Sequence, residues 1–183
     1  MSVTRLMILG LLRERPMHGY ELKKIMKERH MDEWTDIAFG SIYFALRQMT
    51  QEGLARDQGI EQAGNRPSRT VYAITEAGEQ EFFRLLRAGW QTDVTTNEVM
   101  RTCIIFIREL QPDEVLYHLR TKAQILNGKI RHIEAVFADV SARGAPWTAQ
   151  YLCSYDIELC KRTRDWVLSL ADEIESGRIT WTA

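Results

Sequence analysis

The chain has 183 residues, of which 45% are hydrophobic and 27% charged, and this excludes a disordered or fibrous protein in favour of one or two packed domains. Its formal net charge of −1 excludes an overall basic character. Residues 1–90 alone hold 13 Lys and Arg against 12 Asp and Glu, so any contact with nucleic acid must use a local basic surface.

The first thirty residues predict two helices. Val3–Arg13 is apolar on most sides, and we interpret it as a core helix ended by Pro16 rather than as a signal peptide, because it lacks a small-residue cleavage site. A second helix is predicted over residues 18–30. Four of its side chains would face inward: Tyr20, Leu22, Ile25 and Met26. Lys23 and Lys24 would lie outward.

The segment Phe39–Gly53 carries the main functional pattern. On a helix, Ile42, Leu46 and Met49 form one apolar stripe, and Gly53 would stop the helix. The opposite face is free of carboxylates and presents aromatic and hydrogen-bonding side chains: Ser41, Tyr43, Phe44, Arg47 and Gln48. The Ser41 hydroxyl lies where it can cap the helix. Such a face suits a DNA major groove, with an ordinary surface helix as the alternative for this segment alone.

Two strand candidates follow, joined by a tip rich in turn-forming residues. Alternating hydrophobicity predicts strands over residues 54–62 and 69–75. Arg66 and Arg69 bring positive charge to this region with no acidic residue in the tip, although a solvated loop would also explain these two residues. A further helix is predicted over residues 76–90.

The predicted order of three helices, a hairpin and a helix is that of a winged helix-turn-helix domain over residues 1–90. In this arrangement the third helix enters the major groove and the hairpin tip contacts the flanking backbone. We therefore expect four residues to face base edges: Ser41, Phe44, Arg47 and Gln48. Arg47 would pair with guanine and Phe44 with a thymine methyl group. Four others would contact phosphates: Arg66, Arg69, Lys23 and Lys24. Tyr20 and Tyr43 would divide between core packing and phosphate contacts.

The motifs of this half resemble those of the PadR family of bacterial transcriptional regulators. The similarity rests on ILGLL, PMHGYEL, GSIYFAL, EGL and VYAIT-x-x-G, which occur in this order over about residues 5–80. The resemblance implies a winged-helix DNA-binding domain, a helical dimerisation region and repression relieved by a small, often aromatic, effector. It places the family's tyrosine motifs on Tyr20 and Tyr43 and its recognition helix on Ser41–Thr50. Phe44 stands where the family commonly has proline.

Residues 91–183 predict a helical domain with a short helix over Asn97–Leu110 and two long helices after it. Pro112 starts the first long helix, and its apolar residues repeat at alternating threes and fours from Leu116 to Val140. That 3.5-residue seam is typical of coiled-coil-like packing against another helix. The last helix, from Trp147 to about residue 176, can pack on this seam.

These few helices have too little second layer to bury their own apolar faces. We expect a second copy to cover them in a two-fold homodimer, with folding back onto the N-terminal domain as the alternative. The expected dimerisation residues are apolar positions of the long helices: Leu126, Ile133, Phe137, Leu152, Tyr155, Leu159, Trp166 and Leu170. Two DNA-binding domains related by a dyad would read an inverted-repeat operator in double-stranded DNA.

The sequence assembles neither an enzyme site nor a metal site. Its four histidines lack ligand spacing, and it has no phosphate-binding loop, dinucleotide fingerprint or nucleophile elbow. We expect a non-enzyme with no cofactor, and no apolar run approaches the ~18 residues of a membrane span. The odd number of cysteines, three, suits free thiols in the cytoplasm. Cys153 and Cys160 lie too far apart on one helix to bond, so they are buried thiols or pair across a dimer.

Five tryptophans exceed what a small helical core requires. Trp90 at the domain junction and Trp147 at the start of the last helix are candidates for binding a flat aromatic effector, with packing as the alternative. The sequence thus predicts a mainly α protein with a small β-hairpin wing that acts as a dimeric DNA-binding repressor. The alternative is a protein-binding winged-helix adaptor that oligomerises through its C-terminal helices.

Overall fold

The computed structural model describes residues 2–35, 37–61, 68–92 and 97–181. The chain forms two compact units, one of residues 1–89 with 96–106 and the other of residues 90–95 with 107–183. Helices dominate both, and one small antiparallel sheet lies in the first, so the predicted fold class is confirmed. None of the helices in the described ranges is long and apolar enough to span a bilayer.

The N-terminal region contains most of the separate elements. Its helices are α1 (Val3–Glu14), α2 (Gly19–Glu28), the short α3 (Met31–Trp34), α4 (Phe39–Gln51), α5 (Glu76–Gln91) and α6 (Asn97–Ile105). Its strands are β1 (Met17–His18), β2 (Ala55–Glu61) and β3 (Arg69–Ile74). The strands pair in the order β1-β3-β2, so the predicted hairpin gains a third strand that the sequence did not predict.

Helix α4 is held by its apolar stripe. Ile42, Leu46 and Met49 are buried, as predicted, on the side where α4 packs against α1 and α2. The helix ends at Gln51, and the φ of 74° at Gly53, just beyond it, lies in the left-handed region that glycine adopts without strain. The amide of Leu54 then donates to the Met49 carbonyl at 2.8 Å and closes the last turn. These contacts fix both the depth and the length of α4.

Helix α6 belongs to the first unit, whereas the division after residue 90 assigned its residues to the second domain. The ring of Phe106, just after α6, meets the Phe82 ring edge-on at 5.5 Å and covers the backbone at Gly10 in α1. The predicted helix over 97–110 is also shorter than expected. It ends at Ile105, and a 3₁₀ turn over Ile107–Glu109 follows it.

The second unit is built on two long helices, α7 (Pro112–Ala142) and α8 (Trp147–Glu175), whose bounds lie close to the predicted ones. Pro112 occupies the first turn of α7, as expected. The apolar seam of α7 packs on α8. Its core joins Leu126 and Ile130 to Cys160, with Ile133 and Ile157 packed against them.

This core corrects part of the predicted dimer surface. Leu126 is buried within the chain and Ile133 packs beside it, so both stabilise the α7–α8 pair rather than face a second copy. Helix α8 meets α7 through its Cys160 and Val167 side. The side of α8 that is predicted for dimerisation points outward. Leu152, Tyr155 and Trp166 are exposed on it, while three of the predicted residues are half-buried: Phe137, Leu159 and Leu170.

Gly78 provides a test of how tightly the first unit is packed. A Cβ added at Gly78 in α5 would lie 2.1 Å from the carbonyl oxygen of Leu54, a backbone atom that also accepts from the Thr75 amide. We expect Gly78→Ala to lower the free energy of unfolding by about 1–3 kcal/mol, because one of the two backbones must move. Urea denaturation measures this.

Gly40→Ala is the matched control, since nothing lies within 4 Å of a Cβ at that helical position. It should leave stability unchanged or raise it by up to ~1 kcal/mol. Equal urea midpoints for the two variants would show that the close approach at Gly78 has no energetic consequence.

The thiols of α8 give a second prediction. Burial raises the pKa of Cys160, and the side chain is enclosed by the α7–α8 core, whereas Cys153 is only half-buried. Less thiolate and less access both slow alkylation. At pH 8 we expect iodoacetamide to modify Cys153 well before Cys160, as followed by mass spectrometry of the peptides over time. Faster labelling of Cys160 would contradict the packing of α7 on α8.

Candidate nucleic-acid interface

The outer face of α4 is open to solvent. Phe44 is 69% exposed, and Arg47 and Gln48 are exposed beside it. Ser41 is half-buried in the first turn, where its hydroxyl donates to the Ala38 carbonyl. Ala38, not Ser41, precedes the helix as its N-cap, so the predicted capping role of Ser41 is wrong. We call the side of α4 that bears Ser41, Phe44, Arg47 and Gln48 the α4 face.

The α4 face is free of negative charge. No Asp or Glu occurs within α4, and the first carboxylate after it, Glu52, is held by Arg5 in an ion pair of 2.7 Å. The face therefore offers hydrogen-bonding and aromatic side chains beside one guanidinium, without a nearby free carboxylate to repel an anion.

A pocket of about 320 Å³ lies beside the α4 face, where β1, α2, α4 and β3 meet. Its described lining contains cationic, hydroxyl-bearing and aromatic side chains and no Asp or Glu: His18, Gly19, Tyr20, Tyr43, Arg47, Ser68, Arg69, Thr70 and Tyr72. We call it the two-arginine pocket. It brings together four of the predicted DNA-binding residues, which come from three separate elements of the fold.

Two contacts hold the walls of this pocket. The Arg69 guanidinium lies 4.5 Å from the centroid of the Tyr20 ring, a cation–π arrangement that orients the arginine. The Tyr43 ring approaches the backbone at Gly19 so closely that a Cβ there would lie 2.6 Å from its Cε1. Tyr20 is half-exposed, so the prediction that it faces inward is wrong. Its ring supports Arg69 instead of filling the core.

The start of α2, which carries Tyr20, is fixed by a capping box. The His18 Nδ1 accepts from the Glu21 amide at 3.0 Å, and Glu21 Oε2 accepts from the His18 amide at 3.2 Å. Partial burial acts to raise the pKa of Glu21, but hydrogen bonds from the His18 amide and from Arg15 outweigh it and lower that pKa. The carboxylate is thus ionised and already engaged by its own partners.

The outward side of α2 carries the predicted lysines. Lys24 is exposed and forms an ion pair of 3.5 Å with Glu28, and Lys23 is half-buried. Together with Lys27 they border an open groove of about 560 Å³ that also reaches Tyr20. The positive charge on α2 therefore extends from the side of Tyr20 along the helix.

The sequence missed several residues of the pocket. Thr70 and Tyr72 alternate along β3, a pattern that could have indicated their common side. No pattern signals His18, because its place depends on the pairing of β1 with β3. Arg66, predicted at the hairpin tip, lies outside the described residues.

The two candidate effector residues differ in exposure. Trp90 is only 1% exposed, so it is an enclosed side chain rather than an open ligand contact. Trp147 is 70% exposed at the start of α8, and its ring meets Tyr151 edge-on at 5.7 Å.

Comparison with known proteins finds a similarity to one family of transcriptional regulators. The sequence profile of the Transcriptional regulator PadR-like family matches residues 8–84, a segment that contains every residue of the two-arginine pocket. The Negative transcriptional regulator PadR of Bacillus subtilis (strain 168) is 25% identical over 146 residues, which cover 80% of this chain and 79% of that protein.

The chain is also similar to solved structures. The crystal structure of Bacillus subtilis PadR in complex with operator DNA is 23% identical, covers 95% of this chain and 98% of its own, and has a TM-score of 0.43. The same protein in complex with p-coumaric acid is 22% identical, with 95% and 99% covered and a TM-score of 0.38. Over residues 8–84, this chain is thus similar to the PadR-like family of transcriptional regulators.

Proposed function

We propose that this protein is a transcriptional regulator, a homodimer that binds an inverted-repeat operator in double-stranded DNA and represses transcription until a small aromatic effector releases it. The α4 face enters the major groove in this proposal, and Arg69 and the α2 lysines lie along the sugar-phosphate backbone. Residues 1–90 and 91–183 serve as the DNA-binding and the dimerisation parts.

The observation that carries the proposal is the acid-free α4 face. Phe44 and Gln48 project from a helix whose opposite side is fully buried, so they are presented rigidly. Exposure of the Phe44 ring to water is unfavourable in the free protein. In a major groove, however, the ring can contact a thymine methyl group and the neighbouring glutamine can pair with an adenine edge. The guanidinium of Arg69, already oriented by Tyr20, supplies charge for the flanking backbone.

Dimerisation is supported by the outward side of α8. Leu152 and Tyr155 are exposed at 62% and 64%, and Tyr151 and Trp147 extend the same apolar surface toward the start of the helix. Contiguous apolar surface of this kind marks an interface in a soluble protein. A two-fold arrangement lets each copy of α8 cover the other, and it places two α4 faces on one DNA duplex.

Repression and its relief are the finer parts of the proposal. The Bacillus subtilis relative is a negative transcriptional regulator, which favours repression here. The exposed Trp147–Tyr151 pair offers aromatic edges to a flat effector at the surface that we assign to dimerisation. An effector bound there would change how the two copies pack and therefore the spacing of their α4 faces.

Base recognition by the α4 face is tested with Gln48→Ala. We expect the variant to lose about 1–3 kcal/mol of discrimination at one base pair, because the amide would no longer pair with an adenine edge. Gel retardation with the gene's own upstream DNA and its single-base variants measures this, at two salt concentrations.

Gln80→Ala removes the same group from an exposed position of α5 and should bind like the unmodified protein. If the protein shows no retardation of this DNA even at low salt, the protein-binding adaptor replaces the repressor, and the near-neutral charge of residues 1–90 would agree with that outcome.

The dimer is tested by Tyr155→Glu. A carboxylate in a buried apolar interface is strongly unfavourable, so the variant should sediment as a 21.3 kDa monomer while the unmodified protein sediments at twice that mass. Ser154→Glu adds the same charge at the neighbouring exposed position and should remain dimeric. Sedimentation of the unmodified protein as a monomer at micromolar concentration would refute the dimer.

A further inference from the structure

We propose that the two-arginine pocket is a phosphate site, and that Arg47 binds phosphate rather than the guanine edge that the sequence suggested for it. The inference rests on the proposed DNA-binding function, since the source of the phosphate is taken to be the backbone of bound DNA. A free phosphorylated molecule has the same chemistry, and the experiment below separates the two sources.

The donors of the pocket converge from different elements. Arg47 comes from α4 and Arg69 from the first residue of β3, and both line one cavity of about 320 Å³. Ser68 and Thr70 add hydroxyl groups on either side of Arg69. Guanidinium groups match the oxygens of a phosphate in bidentate geometry, and hydroxyls complete its coordination. A single arginine is enough to read a guanine edge, whereas two arginines in one cavity suit an anion.

Negative charge is kept away from this cavity. Its described lining contains no carboxylate, and Glu21, three residues beyond His18, is engaged by Arg15 at 3.2 Å and by the His18 amide. A pocket with two guanidinium groups and no compensating carboxylate in its lining holds a positive potential that favours a bound anion.

Shape separates Arg47 from the base-reading residues. Phe44 and Gln48 are exposed on α4 but do not line the pocket, whereas Arg47 does. A side chain that reads a base must project into the groove, while a concave site beside the helix suits a group of the backbone that passes over it. The pocket therefore fixes the position of α4 on the duplex, and Phe44 and Gln48 read the sequence.

Phosphate binding is measured first without DNA. Inorganic phosphate is titrated into the full-length protein at constant ionic strength, and ³¹P NMR line width follows binding. We expect saturable broadening that weakens at least tenfold in Arg69→Gln and in Arg47→Gln. Arg84→Gln removes the same charge from an exposed site on α5 and should behave like the unmodified protein. Circular dichroism verifies that each variant is folded.

The second arm uses the upstream DNA. Arg47→Gln should weaken binding to all sequences by a similar factor and reduce the salt dependence by about one phosphate contact. Relaxed preference at one base pair, with unchanged salt dependence, would overturn the proposal and return Arg47 to base reading. An unaltered phosphate response in both arginine variants would overturn it as well.

A third outcome distinguishes this inference from the proposed function. Arginine-dependent phosphate binding in a protein that retards no DNA at low salt would support the pocket, assign it to a free phosphorylated molecule and reject the operator-binding role. Gly19→Ala adds a variant without charge change: its methyl group must displace the Tyr43 ring from the pocket wall. It should weaken phosphate binding several-fold while the unfolding midpoint stays within error, and equal phosphate affinity would remove Tyr43 from the site.

Discussion

Burial of one side of α4 is the constraint on which the functional surface depends. Ile42, Leu46 and Met49 enter the core beside α1 and α2, and their removal from water orients every outward residue of the helix. The end of the helix is fixed as well. The Thr75 hydroxyl donates to the Gly53 carbonyl at 2.7 Å and accepts from the Gly78 amide, so one side chain joins the end of α4 to the start of α5.

The near-neutral charge of the first unit is compatible with a cationic site because several of its carboxylates pair with other arginines. Arg5 binds Glu52, Arg13 binds Glu79 at 2.7 Å, and Arg29 binds Glu14. The hydrogen bond from Arg29 lowers the pKa of Glu14, so that carboxylate stays ionised beside its partner. Pairing of this kind consumes several arginines, but it leaves Arg47 and Arg69 in a cavity that no carboxylate lines within the described residues.

Much of the fold could be predicted because its helices are long and regularly patterned. The stripe of α4 and the seam of α7 both follow from helical periodicity, and the glycine stop after α4 follows from its conformational freedom. The two-residue strand β1 could not be predicted, because only its pairing with β3 makes it a strand. Tyr20 was placed inward by periodicity alone. Its ring lies under Arg69, a contact between residues 49 positions apart in the chain that no local pattern reports.

Helical periodicity does not separate residues of a dimer surface from residues of the α7–α8 core. Helix α8 carries two apolar sides, one with Cys160 and Val167 and one with Leu152 and Tyr155, and periodicity does not tell which of them meets α7. The same ambiguity applies to Leu126, since a seam residue packs equally well against its own chain or another. Composition likewise identified Trp90 as unusual but could not report that it is enclosed.

The proposed dimer and the proposed phosphate site are linked, because the affinity of a dimer for DNA depends on binding two half-sites together. In a dimer, binding of the first half-site makes the second binding event intramolecular, with an effective concentration that can reach the millimolar range. Each near-neutral domain can then bind weakly, through a few phosphate contacts and two base-reading side chains, while the pair binds tightly. Loss of the phosphate contact in the two-arginine pocket would lower the affinity of the dimer twice, because each copy loses one contact. An effector that alters the spacing of the two α4 faces would be sufficient to release the DNA. One dimer could then no longer bind both half-sites at once, so the affinity gained from intramolecular binding would be lost, although the contacts that each domain can make with its own half-site stay the same.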